Sequence, residues 1–175
     1  MNTSTFLNLF TVSFISLVLN ACTGLNDDAS KTKIRTQVIA VAEKYVMNQL
    51  AEPQNTKSET GIITIADNQK RYVIEPLKIF TGLIDDDGKE DAIVSVAVFQ
   101  GQYQAVSEQL IILSTGDSFT LVRALESDMR IISLKDRIIT ADVPEHSRDN
   151  PLFNCKSCWE VVKYQYRIGE LVRIE

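Results

Sequence analysis

Histidine and cysteine are scarce in this sequence. Its 175 residues contain one histidine, His146, and three cysteines, Cys22, Cys155 and Cys158. A tetrahedral zinc centre needs more ligands than the Cys155–Cys158 pair supplies. A serine–histidine pair would have to use His146, which has no G-x-S-x-G elbow beside it. The chain carries neither a phosphate loop nor a dinucleotide fingerprint. Positive charge is also in short supply: 18 Lys and Arg stand against 23 Asp and Glu, a net of −5. Nucleic-acid phosphate and anionic lipid surfaces both demand clustered basic residues, so neither is an expected partner. With no catalytic residue set, the sequence reads as that of a non-enzyme.

Residues 1–21 lack charge altogether, and an apolar run extends from Phe6 to Leu19. That run has the length of a signal-peptide core and falls short of a bilayer span, which takes about 20 apolar residues. It ends in Leu19-Asn20-Ala21-Cys22. This tetrapeptide resembles the lipobox of bacterial lipoproteins, with an apolar residue three places before the cysteine and a small one directly before it. The resemblance implies a signal peptide over 1–21 and cleavage before Cys22, with that cysteine carrying the lipid (palmitate among its acyl chains). It departs from the pattern in an n-region without Lys or Arg and in Asn20. Ordinary secretion, an uncleaved anchor and a buried apolar helix that ends by chance at a cysteine are the competing readings. Thr23, where Asp would resemble an inner-membrane retention signal, points to the outer membrane, facing the periplasm.

In such a compartment Cys155 and Cys158 are expected to form a disulfide. Free thiols, a zinc site and a redox motif are the alternatives. The segment that follows, Trp159-Glu160-Val161-Val162-Lys163-Tyr164, reads as a strand rather than the helix a redox motif would open.

The mature chain reads as a polar tether over 22–33 and one α+β domain over 34–175. Ile34, Val38, Val41, Tyr45 and Gln49 recur at helical spacing, widened by Ile39, Ala42, Val46 and Leu50, so an amphipathic helix is expected over 34–50. Pro53 ends it. Residues 54–60 read as a polar loop. Strand patterns follow at 61–66, 71–80 (interrupted by Pro76), 92–99, 106–114, 118–125, 129–134, 137–143, 159–168 and 171–174. The expected architecture is α+β, with the N-terminal helix packed on a twisted antiparallel sheet of about eight strands. Residues 144–158 form the longest irregular segment and one candidate functional surface.

One motif stands out, Gly82-Leu83-Ile84-Asp85-Asp86-Asp87-Gly88-Lys89-Glu90-Asp91. Calcium prefers hard oxygen ligands, and alternate residues of a tight loop aim them at one point. Asp85, Asp87 and Asp91 are the candidate ligands. The segment resembles the D-x-D-G-x-x-D-A-[IV]-V loop of small exported bacterial proteins with FG-GAP-like or integrin-repeat-like calcium sites. It departs at Leu83, where the first ligand belongs, and at Val94, where an EF-hand has its bidentate glutamate. The competing reading is an acidic β-turn whose Asp and Gly serve turn geometry and solubility.

Two functional expectations follow. One is a non-catalytic envelope lipoprotein, held to the membrane by its lipid, that binds another protein or an envelope polymer. The other is a calcium-dependent structural or adhesive module using the 85–91 loop.

Overall fold

The computed structural model describes residues 23–144 and 159–175. The expectations for the signal peptide, Cys22, His146, Cys155, Cys158 and the irregular 144–158 segment, except Pro144 at the end of the eighth strand, lie outside the described residues. One helix, α1 (Thr23–Met47), precedes ten strands: β1 (Gln54–Lys57), β2 (Ile63–Ala66), β3 (Lys70–Gly82), β4 (Asp91–Gln100), β5 (Tyr103–Ser114), β6 (Phe119–Glu126), β7 (Arg130–Lys135), β8 (Ile138–Pro144), β9 (Trp159–Arg167) and β10 (Glu170–Arg173). All pair antiparallel. Among the described residues, no helix is long and apolar enough to cross a membrane.

The strands form two sheets rather than the expected single one. Strands β1 to β6 make a six-stranded sheet in sequence order, and a second sheet runs β10-β9-β8-β7. The reason lies in β4 and β5. Ala92, Ile93 and Val94 are consecutive and all buried, as are Leu110, Ile111 and Ile112. Successive strand residues point to opposite faces, so both faces of the six-stranded sheet's centre are covered. The register separates the two sets. Ile93 pairs with Ile111 on one face, whereas Val94 pairs with Leu110 on the other.

The Ile93 face meets the four-stranded sheet. Ile84, Ile93, Ile111, Ile131, Ile139 and Ala141 form one buried cluster, with Phe80, Leu113, Met129 and Tyr164 packed around it. Burying such side chains contributes about 1.5–3 kcal/mol each relative to exposure. Gly82 of β3 sits directly against Leu134 of β7. A Cβ there would lie 3.1 Å from Leu134 Cγ and 3.3 Å from the Leu134 carbonyl, so a larger residue would push β3 and β7 apart. One polar side chain is buried in this region and is satisfied. The Gln109 amide donates to the Met129 carbonyl (3.0 Å) and its carbonyl oxygen accepts from Ser95 Oγ (2.6 Å).

On the other face, Tyr72, Val96 and Leu110 are buried. The Tyr45 hydroxyl reaches this face and donates to Glu108 of β5 at 3.0 Å. Val38, Ala42 and Val46, spaced by one helical turn, are fully buried, whereas Gln49 is exposed. The helix stops at Met47 instead of Leu50. Its end tightens into i→i+3 bonds, Gln49 N–H to the Val46 carbonyl and Leu50 N–H to the Met47 carbonyl. The 23–33 segment, read as a polar tether, is the first part of α1.

Residues 54–57, read as loop, are strand β1. All four are exposed, so no hydrophobic pattern marks them; pairing with β2 does. Pro76 has the expected effect on β3. The register against β4 shifts between Ile74 and Ile79, since proline cannot donate to the ladder.

Candidate functional site

The acidic loop, the β5–β6 turn and the two hairpin turns of the four-stranded sheet all lie at one end of the stacked sheets. The loop spans Leu83–Glu90 between paired Gly82 and Asp91. The hairpin turns are Asp136–Arg137 and Ile168–Gly169, closing the pairs Lys135–Ile138 and Arg167–Glu170.

Asp91 anchors the loop. Its side chain is fully buried. One carboxylate oxygen accepts from the Ile84 N–H (2.9 Å) and the Asp85 N–H (3.4 Å), and the other accepts from the Ser114 N–H (2.9 Å). A single side chain thus ties the start of the acidic loop to the end of β5. Burial pushes the Asp91 carboxyl above its ordinary range, against the lowering influence of those three N–H groups. Two further carboxylates shape the loop. Asp85 accepts from the Asp87 N–H (2.9 Å), and Asp87 accepts from the Lys89 N–H (2.8 Å). These side-chain turns lead into Gly88, whose φ of 75° suits glycine. The backbone hydrogen bond from Lys89 holds the Asp87 carboxyl below its ordinary range.

The three sequence-predicted ligands come together. Asp85, Asp87 and Asp91 each present a carboxylate oxygen, and these oxygens lie within 4.8 Å of one another. Such a donor set suits a hard cation in its chemistry, with two qualifications from the geometry. Both oxygens of Asp91 already accept backbone hydrogen bonds, and the Asx-type bonds from Asp85 and Asp87 account for the turn by themselves. Any calcium here would share Asp91 with the fold and complete its shell with water.

Beside the loop opens a cleft of about 600 Å³, bounded by Ile84, Asp85, Asp86 and Arg137 on one side and by residues 165–169 on the other. Sequence reading did not single out these basic and amide residues, because strand spacing alone does not reveal which turns share an end. Their polar groups are paired in advance. Arg137 forms an ion pair with Asp86. The Arg167 guanidinium donates twice to the Gln165 side-chain oxygen, from Nε at 3.0 Å and again from Nη2. Tyr166 lies at the boundary between this cleft and the core. Burial raises its hydroxyl pKa, opposed by Arg123 and reinforced by Asp85.

The hairpin turns are strained. Asp136, Arg137, Ile168 and Gly169 all have positive φ (52°, 62°, 51° and 83°). Two-residue loops of this form favour Asn-Gly or Asp-Gly, because positive φ crowds a Cβ. At Ile168 the residue is β-branched, its φ is left-handed and its side chain is fully exposed. The left-handed conformation costs such a residue roughly 1–2 kcal/mol, and no burial offsets that cost.

Comparison with family models, curated proteins and solved structures finds no match to the chain.

Proposed function

We propose that this chain is a non-catalytic lipoprotein of the bacterial cell envelope that binds another protein or an envelope polymer at the acidic-loop end of its sheets. In this reading Cys22 carries the lipid and α1 packs its buried stripe on the six-stranded sheet while leading toward the anchor. The observation that carries the binding role is Ile168. Strained, exposed backbone positions are retained where something outside the fold uses them, and this one stands at the mouth of an open cleft. The outward face of β9 carries a second exposed patch, at the end of the four-stranded sheet away from the cleft. Val161 is 60% exposed, and Arg130 stacks its guanidinium over Trp159 at 3.9 Å. Trp, Arg and apolar groups of this kind are enriched in recognition surfaces.

The test is photo-crosslinking in cells with the lipidated, tagged protein, from position 168 and, as a control, from position 102 at the opposite end of β4. A discrete adduct from 168 alone, recovered from the membrane fraction, is the expected result. Equal background from both positions would remove the binding role. Separately, Cys22→Ser should leave an unprocessed precursor without acyl mass, and a mature N-terminus other than Cys22 would end the lipoprotein reading.

A second reading rests on the convergence of Asp85, Asp87 and Asp91. As a calcium-dependent module, the protein would gain about 1.4 kcal/mol of stability with calcium tenfold above Kd. Asp87→Ala should abolish the gain. An unchanged melting curve at millimolar calcium would discard this reading.

A further inference from the structure

We infer that the cleft beside the acidic loop recognises an uncharged polyhydroxylated ligand, a short stretch of a neutral glycan, with Gln165, Arg167, Asp86 and Arg137 as its hydrogen-bonding frame and Ile168 as an apolar contact. The inference rests on the envelope-binding reading above and names its ligand class.

Charge comes first. The cleft brings two carboxylates, Asp85 and Asp86, together with two guanidiniums, Arg137 and Arg167. Arg137 is neutralised by Asp86, and Arg167 is held by the Gln165 oxygen. An anionic ligand would have to compete with Asp86 for Arg137, and a cationic one with Arg137 for Asp86. Arg167 and Asp85 keep one charge of each sign, so the cleft has no net charge with which to select an anionic or a cationic ligand.

What such pre-paired groups retain is unused hydrogen-bonding capacity at fixed positions. A guanidinium has five N–H donors, and a carboxylate accepts at several lone pairs. The Arg167 bonds to Gln165 use two of its donors, and the Gln165 amide adds N–H₂ donors of its own. The cleft lining therefore combines donors (Arg137, Arg167, Gln165) with acceptors (Asp85, Asp86, Gln165). A hydroxyl is both donor and acceptor, so a ligand bearing many of them matches a mixed array that a purely donating or purely accepting ligand does not.

Shape and apolar character agree. The volume of about 600 Å³ lies within the range of small-ligand sites, and the cleft is open enough for a chain to continue past it. Sugar rings present C–H faces as well as hydroxyls. Ile168, projecting fully exposed from its turn, offers a surface for such a face, which gives its strained backbone a use that Asn-Gly at the same turn would not provide. The same rim holds Asp85, so a cation bound by the loop would sit next to the ligand without being required for it.

The experiment titrates the full-length chain, in a detergent without a sugar headgroup, with neutral oligomers of glucose and of N-acetylglucosamine, with a uronic-acid oligomer, with inorganic phosphate and with a lysine-rich peptide. Saturable binding of a neutral oligomer, and of none of the charged probes at equal concentration, is expected. Gln165→Ala should weaken it about tenfold, the scale of one broken hydrogen-bonded contact. Ile168→Asn should weaken it comparably while raising the melting temperature, which separates a binding role from a folding defect. Absence of binding by every neutral oligomer, preference for a charged probe, or indifference to both substitutions would overturn the inference. If crosslinking from position 168 still yields one protein adduct while no oligomer binds, the envelope-binding reading stands and the glycan assignment falls. If crosslinking and titration are both blank, both fall.

Discussion

The two sheets of this protein are built to different standards. At the centre of the six-stranded sheet, β4 and β5 are buried on both faces, and consecutive residues such as Ala92, Ile93 and Val94 are inaccessible to solvent. The four-stranded sheet is buried on one face only. Its inward residues Ile139, Ala141 and Val162 are fully covered, while Val161 and Val172 on the outward side are exposed. Its two hairpins close through turns with positive φ at non-glycine residues, whereas the acidic loop places Gly88 at its own left-handed position. The first sheet concentrates its burial in these two central strands. The second keeps a strained, fully exposed Ile168 at the end where the cleft opens, the feature on which the proposed binding role rests.

Substitutions can break that contrast, and the largest effect belongs to the shared core. Ile139→Ala should cost about 2–5 kcal/mol in chemical denaturation, from lost transfer energy and an unfilled cavity. Val161→Ala on the adjoining strand should fall within about 0.5 kcal/mol of the parent. Equal losses would mean that the outward face is covered after all.

Asp91→Ala should destabilise by roughly 3 kcal/mol, since three backbone N–H groups lose their acceptor in one step. Hydrogen exchange should locate the damage at the Ile84, Asp85 and Ser114 amides. A near-neutral result would mean that water replaces the carboxylate and that the loop is not anchored through it.

Ile168→Asn should stabilise by about 1 kcal/mol, because Asn tolerates the left-handed conformation that Ile does not. Thermal unfolding measures this directly. A loss of stability would show that Ile168 makes a contact worth more than its strain.

The smallest effect concerns pH. Burial is the main influence raising the Glu108 carboxyl, reinforced by Glu126 and opposed by the hydrogen bond from Tyr45. A carboxyl raised on folding contributes stability that is fully present below its ordinary value of 4.5 and is lost as pH rises through the folded value. Glu108→Gln should therefore flatten the melting-temperature profile on the alkaline side of 4.5. The opposite dependence belongs to Asp67 and Asp87. Their carboxyls are lowered mainly by backbone hydrogen bonds, from Lys70 and Lys89 respectively. Their contribution is present above 3.8 and lost as pH falls through the lowered values. An unaltered profile in Glu108→Gln would remove Glu108 as a source of pH sensitivity.

Local chemistry was legible wherever one segment decides it. Strand periodicity located nine of the ten strands within a few residues. Pro76 marked the irregularity of β3, and Gly169 marked the last hairpin. The acidic loop could be read because its spacing of Asp85, Asp87 and Gly88 dictates consecutive Asx turns. Strand β1 was not legible, since Gln54-Asn55-Thr56-Lys57 is polar throughout and gains its extended form from β2. Nor was the second role of Asp91. A carboxylate in an acidic run looks like a ligand or a solvated turn, and only the approach of Ser114, 23 residues later, makes it a buried anchor.

The division follows from the range of the forces. Side-chain alternation, turn residues and the Asp-x-Asp-Gly spacing act within a few residues, so the sequence by itself determined an antiparallel chain of strands with an acidic loop ahead of its most apolar one. Which strands share a sheet depends on hydrogen bonds between segments far apart in sequence. The apolar run at 92–94 read only as part of a strand in a single sheet, and its burial on both faces became apparent in the structure. Tertiary structure alone decided that the chain passes to a second sheet after β6. That passage brings Arg137, Gln165 and Arg167 alongside Asp86, and it leaves Ile168 in solvent at the mouth of the cleft.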